Sequence, residues 1–354
     1  MGTLPNLGWS AFIIILEVKK HQTTIFDIAK ELGISKSTVS RALTGHPSVH
    51  EQTRDKVLQL ANQLEYQRNM FSIGLMKKAS HTLGIIVPEF SRSFFPQLII
   101  GAQERAKEAG YNLIISQSDE SYETEVSNAQ VMLAHQVDGL LISITRETNN
   151  FEHLKLFQRK GIPIVFFNRV CDEMIVPKVI VEDHEGAFAA VEHLIARGKR
   201  RIAHLSGPES LSICKRRKAG YTAALAKHQI PFDEDLVVHY DLAINKVKIY
   251  INYFLNLKER PDAIFCINDP TAIEAIRLIK ETGLRIPEDI AIIGFSNDFV
   301  SSLIEPSLTT VEQPIKEMGR TATQLLLDQI ERDVADWKAP TVVLKTQLIV
   351  RNSS

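Results

Sequence analysis

The sequence has few cysteines, no long apolar run and almost no net charge. Its three cysteines (Cys171, Cys214 and Cys266) stand far apart in 354 residues, without CxxC spacing. This argues against a disulfide framework or a zinc site and favours buried thiols in a reducing cytoplasm. No stretch approaches the roughly 18 apolar residues of a membrane span. The apolar run at 11–16 lacks the basic start and small-residue cleavage site of a signal peptide.

The net charge of −1 gives no sign of a nucleic-acid partner, but the charges are unevenly distributed. Residues 23–78 contain eight Lys or Arg and five Asp or Glu, so this segment carries +3 while the rest carries −4. A basic segment on an acidic body is typical of a DNA-reading domain joined to a domain that does not bind DNA. The length is comfortable for two or three domains.

Residues 1–22 show no pattern to which we can assign a role, and recognisable structure begins at Thr23. One hypothesis is that translation starts near Val18, because Val can be encoded by an alternative start codon. The mass of the native N-terminus tests this hypothesis, and a peptide that contains Trp9 would contradict it.

The first structured residues predict two short helices joined by a tight turn. Thr24 and Asp27 form a capping box that opens the first helix, and Gly33 supplies the left-handed turn that ends it. Ser35 caps a second helix that runs to about Leu43. Two short helices with a glycine between them are the helix-turn-helix pattern.

A third helix follows, opened by a second capping box at 48–51 and continuing to Glu65. Its apolar side chains are spaced to close a small three-helix core. The predicted core residues of this helix are Val57, Leu58, Ala61 and Leu64.

The start of the second helix carries short or basic hydrogen-bonding side chains. They are Lys36, Ser37, Thr38, Ser40 and Arg41. Such side chains can enter the major groove and reach base edges or phosphates. The alternative is an ordinary solvated helix face. Capped helices, a glycine turn and net positive charge occur together here, and this combination favours DNA reading.

The segment TIFDIAKELGISKSTVSRAL at 24–43 resembles the signature of the lactose-repressor/galactose-repressor (LacI/GalR) family. The resemblance implies that Lys36, Ser37 and Arg41 read bases. It also implies that Thr38 and Ser40 hold the DNA backbone. The predicted DNA-contacting residues are Thr24, Ser35, Lys36, Ser37, Thr38, Ser40, Arg41, Asn69 and Leu75.

Residues 67–80 correspond to the hinge of that family, a short helix that forms only on operator DNA. The resemblance places the leucine that enters the minor groove at Leu75, by alignment on Asn69. The alternative is a plain linker. The segment departs from the family pattern at Arg68, Ser72 and Gly74. Glycine lowers helix propensity by about 1 kcal/mol relative to alanine, so we expect this hinge to fold less readily without DNA.

From Thr82 onward, short apolar runs alternate with amphipathic helices. The runs are 83–87, 113–115, 139–144, 164–167, 202–205, 264–267 and 290–293, and the helices include 95–109, 123–135, 186–196, 216–227 and 271–281. This alternation predicts parallel sheets covered on both faces. Two sets, at 82–180 and 181–307, predict two similar lobes, and the last stretch would return a strand to close the pair.

Ligands of open α/β sheets bind beyond the carboxyl ends of the strands. The side chains expected there are Phe94, Phe95, Asn168, Arg217, Asn268, Ser296 and Asp298. Amides, a guanidinium, a carboxylate and aromatic faces suit a neutral polyhydroxylated effector such as a sugar. The alternative is that the Asn, Asp and Ser residues only cap the helices that follow.

The family resemblance continues into this region and spans about residues 23–351. It rests on RGKRRIAHLSGP at 197–208, RKAGY at 217–221, IND at 267–269, LRIPEDIAIIGF at 284–295 and LTTVEQP at 308–314. The resemblance implies a three-helix DNA-binding domain followed by a two-lobed α/β domain like that of type I periplasmic binding proteins. It also selects Asn168, Arg217 and Asn268 as effector contacts.

Two departures affect the predicted effector site. The family often has Gly-Phe/Tyr-Asp where this chain has FSND at 295–298, so the acidic contact would come from Asp298 or be absent. Leu242 follows Asp241 where an aromatic platform is common, so a stacked sugar ring is not expected there.

We therefore predict a cytoplasmic, homodimeric transcriptional regulator, more specifically a repressor, that binds pseudo-palindromic operator DNA and a sugar-type effector. The predicted divisions are a leader at 1–22, a helix-turn-helix domain at 23–66, a hinge at 67–80 and an effector domain at 81–354. A periplasmic sugar-binding protein would have a signal peptide and no helix-turn-helix. An enzyme is disfavoured because the sequence shows no GxSxG, Walker or HExxH pattern, and we predict no catalytic residue, metal or cofactor.

Overall fold

The computed structural model describes residues 23–66, 79–331 and 339–354. The described residues fall into two compact units, one within 1–76 and one within 77–354. The predicted leader at 1–22 lies outside the described residues. The same holds for most of the predicted hinge, including Asn69 and Leu75.

The first unit is built from α1 (Ile25–Leu32), α2 (Lys36–Leu43) and α3 (Glu51–Gln63). The capping box predicted for α1 is present. The Asp27 carboxylate accepts hydrogen bonds from the backbone N–H and the hydroxyl of Thr24, both at 2.7 Å. Gly33 ends α1 with a φ of 64°, a left-handed conformation that glycine adopts without a Cβ clash. Ser35 caps α2, as predicted, by accepting the N–H of Thr38 at 3.1 Å.

The predicted start and core of the third helix need correction. The second capping box is wrong, since α3 begins without a side-chain cap and the Ser48 hydroxyl lies 2.8 Å from Nδ1 of His46. Leu58 was expected in the core but is 45% exposed, whereas Leu60 packs against the buried cluster. A helix turns by about 100° per residue. The neighbour of buried Val57 therefore faces outward, while the residue three positions later returns to the core.

Two six-stranded sheets form the framework of the second unit. In spatial order, the first contains β11 (Thr341–Leu344), β5 (Lys178–Val181), β4 (Ile164–Phe167), β3 (Gly139–Ile142), β1 (Thr82–Val87) and β2 (Asn112–Gln117). The second contains β12 (Gln347–Ile349), β10 (Thr309–Glu312), β9 (Ala291–Ser296), β8 (Ala263–Cys266), β6 (Ile202–Ser206) and β7 (Val237–His239). Every neighbouring pair is parallel except β10 and β12. The predicted parallel architecture is confirmed.

Helices cover both faces of each sheet. Those on the first sheet are α4 (Phe94–Glu108), α5 (Tyr122–Ala134), α6 (Glu152–Arg159) and α11 (Ile315–Glu331). Those on the second are α7 (Asp183–Ala196), α8 (Ser212–Lys227), α9 (Val247–Leu255) and α10 (Asp269–Glu281). Central strands are buried on both sides, which explains why they read as continuous apolar runs rather than alternating ones.

The two predicted sets of strands fall in different sheets, and the last stretch returns to them as expected, but each lobe is built from separate stretches of chain. The chain passes from the first sheet to the second lobe after β5, returns after β10, and crosses again between β11 and β12. α11 and β11 therefore complete the first lobe, although they follow the second in sequence. Strand–helix alternation cannot reveal this, because it does not encode which sheet a strand joins.

α4 and α11 cross at a point where two glycines bring their backbones together. A Cβ at Gly101 would lie 2.0 Å from the carbonyl oxygen of Lys316. A Cβ at Gly319 would lie 2.0 Å from the carbonyl oxygen of Leu98. Since both neighbours are backbone atoms, neither can move aside as a side-chain tip could.

We expect Gly319→Ala to lower the free energy of unfolding by about 1–3 kcal/mol, the usual cost of overpacking a core. Denaturant unfolding of the full chain measures this change. Glu317→Ala, at an exposed position on the same helix, is the matched control and should change stability little. Equal stability of the two variants would contradict a tight helix crossing.

Candidate functional site

One face of α2 presents the side chains predicted to read bases. Lys36, Ser37 and Arg41 are exposed, whereas Val39 and Ala42 are buried in the three-helix core. Helical geometry explains the division, because residues four apart share a face. The sequence of α2 contains no acidic residue, so the exposed face has only positive formal charge. Such a face suits phosphates and the acceptor groups of base edges.

Hydroxyl groups order the first turn of α2. The Ser35 oxygen lies 2.7 Å from that of Ser37 and 2.8 Å from that of Thr38. Thr38 and Ser40 are half-buried, and Thr24 lies exposed at the start of α1. Thus seven of the nine predicted DNA-contacting residues lie on or beside the first two helices, while Asn69 and Leu75 lie outside the described residues.

All seven residues predicted to contact an effector line one cleft between the two lobes of the second unit. The cleft encloses about 590 Å³ of empty space, its open mouth included. The cleft also contains residues that the sequence prediction did not select: Glu89, Arg92, Arg169, Ile213, Leu242, Ile267, Pro270 and Gln313.

Four of these unselected residues lie just after the ends of strands, so the sequence could have predicted them. Glu89 and Arg92 follow β1, Arg169 adjoins Asn168 after β4, and Leu242 lies shortly after β7. The strand-end rule that selected the predicted residues thus applied to these as well. Leu242 has a φ of 65°, a conformation that a sequence pattern would not assign to leucine.

Asn168 presents an amide with no protein partner in the described part of the chain. Its backbone is left-handed, with a φ of 57°, and its N–H donates to the carbonyl of Val179 at 2.9 Å. Asparagine tolerates this conformation better than most residues. The backbone is thus held in place while the side-chain amide remains available to a ligand.

Arg217 lies in a nearly closed site and is 3% exposed. Its guanidinium donates to Asp183 at 2.8 Å and to the carbonyl of Ile267 at 2.6 Å, and its Cζ lies 3.6 Å from the centre of the Phe295 ring. Burial raises the pKa of Asp183, and the adjacent guanidinium opposes that rise. The pairing fixes the orientation of Arg217. Its Nη2 also lies 2.8 Å from Asp183, so the contacts with Asp183 and Ile267 need only three of its five N–H groups.

Arg169 is fixed in a similar way by Glu120, with 2.8 Å between Nη1 and Oε2. Burial disfavours the ionised form of Glu120, but the charges and hydrogen bonds of Arg169 and Arg146 together hold its pKa below the ordinary value. The same carboxylate oxygen accepts the N–H of Arg146 at 3.1 Å. The buried Nε of Arg169 has no partner among the described residues, so this edge of the guanidinium can still donate.

Asn268 combines the two roles that the sequence left open. Its side-chain oxygen accepts the N–H of Thr271 at 3.0 Å and the hydroxyl of Thr271 at 2.7 Å. It therefore caps α10, as the alternative interpretation held. Its NH₂ group has no partner in the described segments, and the residue lines the cleft.

Asp269, next in sequence, holds the loop after β9 rather than facing a ligand. Its carboxylate accepts the N–H of Asp298 at 2.7 Å and the hydroxyls of Ser301 at 2.7 Å and Thr310 at 2.5 Å. Burial raises the pKa of Asp269, against the effect of these hydrogen bonds. The fully buried carboxyl thus anchors the loop that carries Asp298 into the cleft.

The remaining predicted residues have protein contacts of their own. The Ser296 hydroxyl accepts a hydrogen bond from the amide of Gln313 at 2.9 Å. Phe94 and Phe95 meet edge to face, with ring centres 5.1 Å apart, and both pack in or against the first-lobe core. They form an apolar wall rather than a free stacking platform.

The histidine, cysteine and acidic side chains of the described segments are not grouped as metal ligands. Among them, no three or more His, Cys, Asp or Glu side chains are grouped to hold a metal ion. Cys171, Cys214 and Cys266 are buried free thiols, and burial raises the pKa of Cys214 to about 11. In the described segments, helices long and apolar enough to span a membrane are likewise absent.

Comparison with known proteins decides the family. Residues 24–69 match the family described as bacterial regulatory proteins, lacI family. Residues 80–347 match the family described as periplasmic binding proteins and sugar binding domain of LacI family. The chain belongs to the LacI family.

Individual relatives agree with this LacI-family assignment. Catabolite control protein A of Priestia megaterium is 33% identical over 315 residues, covering 88% of this chain and 94% of that protein. The lac repressor dimer bound to operator and an anti-inducer has a TM-score of 0.81 at 26% identity, covering 94% and 98% of the two chains. The regulator CelR in complex with cellobiose has a TM-score of 0.72 at 27% identity, covering 94% and 100%.

The predicted fold class and function class are therefore confirmed. This LacI-family chain is a DNA-binding transcriptional regulator with a helix-turn-helix domain and a two-lobed domain like that of periplasmic binding proteins. Members of the family are regulatory DNA-binding proteins rather than enzymes.

Hydrogen bonds connect the lobes of the regulator across the cleft. Ser93 donates its hydroxyl to Asp298 at 2.6 Å. Arg146 donates to the carbonyl of Asp241 at 2.5 Å, and Arg92 donates to the carbonyl of Leu242 at 3.3 Å. The Asp298 carboxylate, predicted as an effector contact, is thus also a contact between lobes.

We expect Ser93→Ala to weaken the closed arrangement of the lobes. A hydrogen bond to a charged group stabilises by about 1.5–3 kcal/mol, and partial exposure to solvent reduces this contribution. The rate of backbone hydrogen exchange near Ser93 and Asp298 should therefore rise at least about fivefold. Mass spectrometry of exchanged peptides measures the rise. Ser91→Ala is the matched control, because the Ser91 hydroxyl contacts Glu89 in its own lobe at 2.8 Å. The same exchange rates in both variants would refute a role of Ser93 in lobe closure.

Proposed function

We propose that this regulator represses transcription and that a neutral, carbohydrate-type effector in the cleft controls its operator affinity. The observation that carries the proposal is that each guanidinium lining the cleft has its own carboxylate. The pairs are Arg92 with Glu89 at 3.5 Å, Arg169 with Glu120 at 2.8 Å, and Arg217 with Asp183 at 2.8 Å. No excess of positive charge is left to attract a phosphate or carboxylate. What remains is a set of directed N–H donors.

These donors suit hydroxyl groups. Asn168 and Asn268 each offer an amide NH₂ with no protein partner in the described segments. Arg217 and Arg169 offer N–H groups whose directions are fixed by the ion pairs. Leu242 and the Phe94–Phe95 wall supply apolar surface for the C–H faces of a sugar ring. A few placed polar groups on an apolar lining are typical of specific small-molecule sites.

The relatives support a carbohydrate rather than another neutral ligand. The solved structure of CelR is a complex with cellobiose. The matched family is described as containing the sugar binding domain of LacI-family proteins. For this chain, a carbohydrate effector is inferred from the residues that line the cleft. Experiment is needed to find which sugar binds there.

The remaining predictions form part of the same proposal. We infer that the chain acts as a homodimer, because a two-fold axis matches operators with two half-sites. We also infer that it acts in the cytoplasm and does not catalyse a reaction. An exposed apolar segment supports a second copy as partner, since Phe299 is 67% and Leu303 is 65% exposed. We retain the divisions at 23–66, 67–80 and 81–354. Coupling between effector and operator is expected to be about 1–3 kcal/mol.

We expect Arg41→Ala to weaken operator binding about ten- to hundredfold, because one bidentate base contact contributes about 1–3 kcal/mol. The operator is first selected from a random DNA pool with the wild-type chain, and affinity is then measured by fluorescence anisotropy at one fixed salt concentration. Lys30→Ala, an exposed basic residue of α1, is the control. Effector affinity should not change. Equal loss of operator and effector binding would contradict the separate roles of the two units.

Thermal unfolding of the full chain in the presence of neutral sugars and sugar phosphates tests the effector class. We expect stabilisation by at least one neutral sugar, worth about 2.7 kcal/mol at a hundredfold excess over Kd, and a weaker effect of its phosphate ester. Asn168→Ala should abolish the shift. Asn112→Ala, at an exposed position on β2, should not. Stabilisation by phosphorylated sugars alone would refute a neutral effector.

A further inference from the structure

An aromatic ring on α1 lies against the first residue of the DNA-reading helix. The ammonium nitrogen of Lys36 lies 3.6 Å from the centre of the Phe26 ring. The sequence prediction included Lys36 among the base-reading residues but gave Phe26 no role. The two residues are ten positions apart and belong to different helices.

Phe26 is not explained by the core of the first unit. It is 57% exposed and stands outside the buried cluster, to which α1 contributes Ile28 and Ala29. A largely exposed phenylalanine gains little from the hydrophobic effect at such a position. Its close neighbour is a cation, and the face of an aromatic ring attracts a cation electrostatically.

Lys36 has no competing partner among the described residues. The ion pairs of the described segments include none with Lys36, and α2 has no acidic side chain. The nearby hydroxyls of Ser35, Ser37 and Thr38 contact one another. The ring of Phe26 is therefore the one described group that restrains this ammonium.

That restraint matters for DNA reading because lysine is flexible. Its ammonium ends a four-carbon stem and donates in any direction, so it contacts phosphates as readily as bases. Phosphate contacts carry no sequence information, whereas contacts to base edges do. An ammonium held at a fixed point beside the start of α2 can be presented to one base position in preference to the surrounding phosphates.

We propose that Phe26 is a positioning residue that sets the base preference of Lys36. The ring stays in contact with the ammonium on operator DNA and directs its N–H groups to one base pair in each half-site, with the acceptor groups of guanine as the expected target. This inference rests on the proposed role of Lys36 in reading bases. It adds a specificity-determining residue that lies outside the recognition helix.

The test measures binding of the full chain to its selected operator and to every single-base-pair substitution of one half-site. Lys36→Met should remove the preference at one position. Phe26→Leu should lower the preference at that same position by about two- to fivefold, the factor expected of an exposed cation–π contact, and leave other positions unchanged. Phe26→Tyr keeps the ring face and should retain the preference. In the Lys36→Met background, Phe26→Leu should have no further effect.

Other outcomes separate the possible failures. If Lys36→Met leaves every base preference intact, the proposed base-reading role of Lys36 is wrong. If Lys36→Met acts but Phe26→Leu does not, or acts at another position, the positioning role of Phe26 is wrong. A uniform loss of affinity over all sequences in Phe26→Leu, with Phe26→Tyr equally weak, would show that Phe26 serves only the helix bundle. Lys30→Ala provides the control for a general loss of positive charge.

Discussion

Parallel strand pairing determines where the second unit can bind a ligand. Because parallel strands end at the same edge of a sheet, the segments that follow them are brought together at that edge. The cleft is lined by residues that follow β1, β4, β7, β8, β9 and β10, from both sheets. The three crossings of the chain bring the strand ends of both lobes to a single cleft. Each lobe contributes polar side chains to the cleft: Asn168 and Arg169 come from the first lobe, and Arg217 and Asn268 from the second.

Buried ion pairs then determine what the cleft can recognise. Removing a guanidinium from water is costly unless a carboxylate compensates it. Arg217 and Arg169 are each compensated by a carboxylate that does not itself line the cleft. Compensation also removes the net charge that would favour an anion. What the pairs retain is direction, because each guanidinium is held at a fixed angle. Recognition by such a site depends on geometry more than on charge.

The DNA-reading unit follows the opposite electrostatic rule. The exposed cations of α2 have no carboxylate partners on their own helix. The buried face of α2 packs in a small core that contains Ile28, Val39 and Val57. Operator DNA itself supplies the compensating charge. One LacI-family chain therefore pairs the arginines of its cleft with carboxylates and leaves the exposed basic side chains of α2 without acidic partners on that helix.

The sequence by itself determined most of what local signals carry: the caps at Thr24 and Ser35, the turn at Gly33, most of the strands, and the residues that follow them. These depend on neighbours a few positions away, so they can be read from a pattern. The capping box predicted at 48–51 was a local signal that proved wrong. The sequence-based prediction of burial was wrong at Leu58, because a one-residue error in helix phase moves a side chain from the core to the surface. Tertiary structure alone decided the return of α11 to the first lobe, the bond of Ser93 to Asp298 and the contact of Phe26 with Lys36. Each joins residues of separate elements, and no local pattern encodes which elements meet.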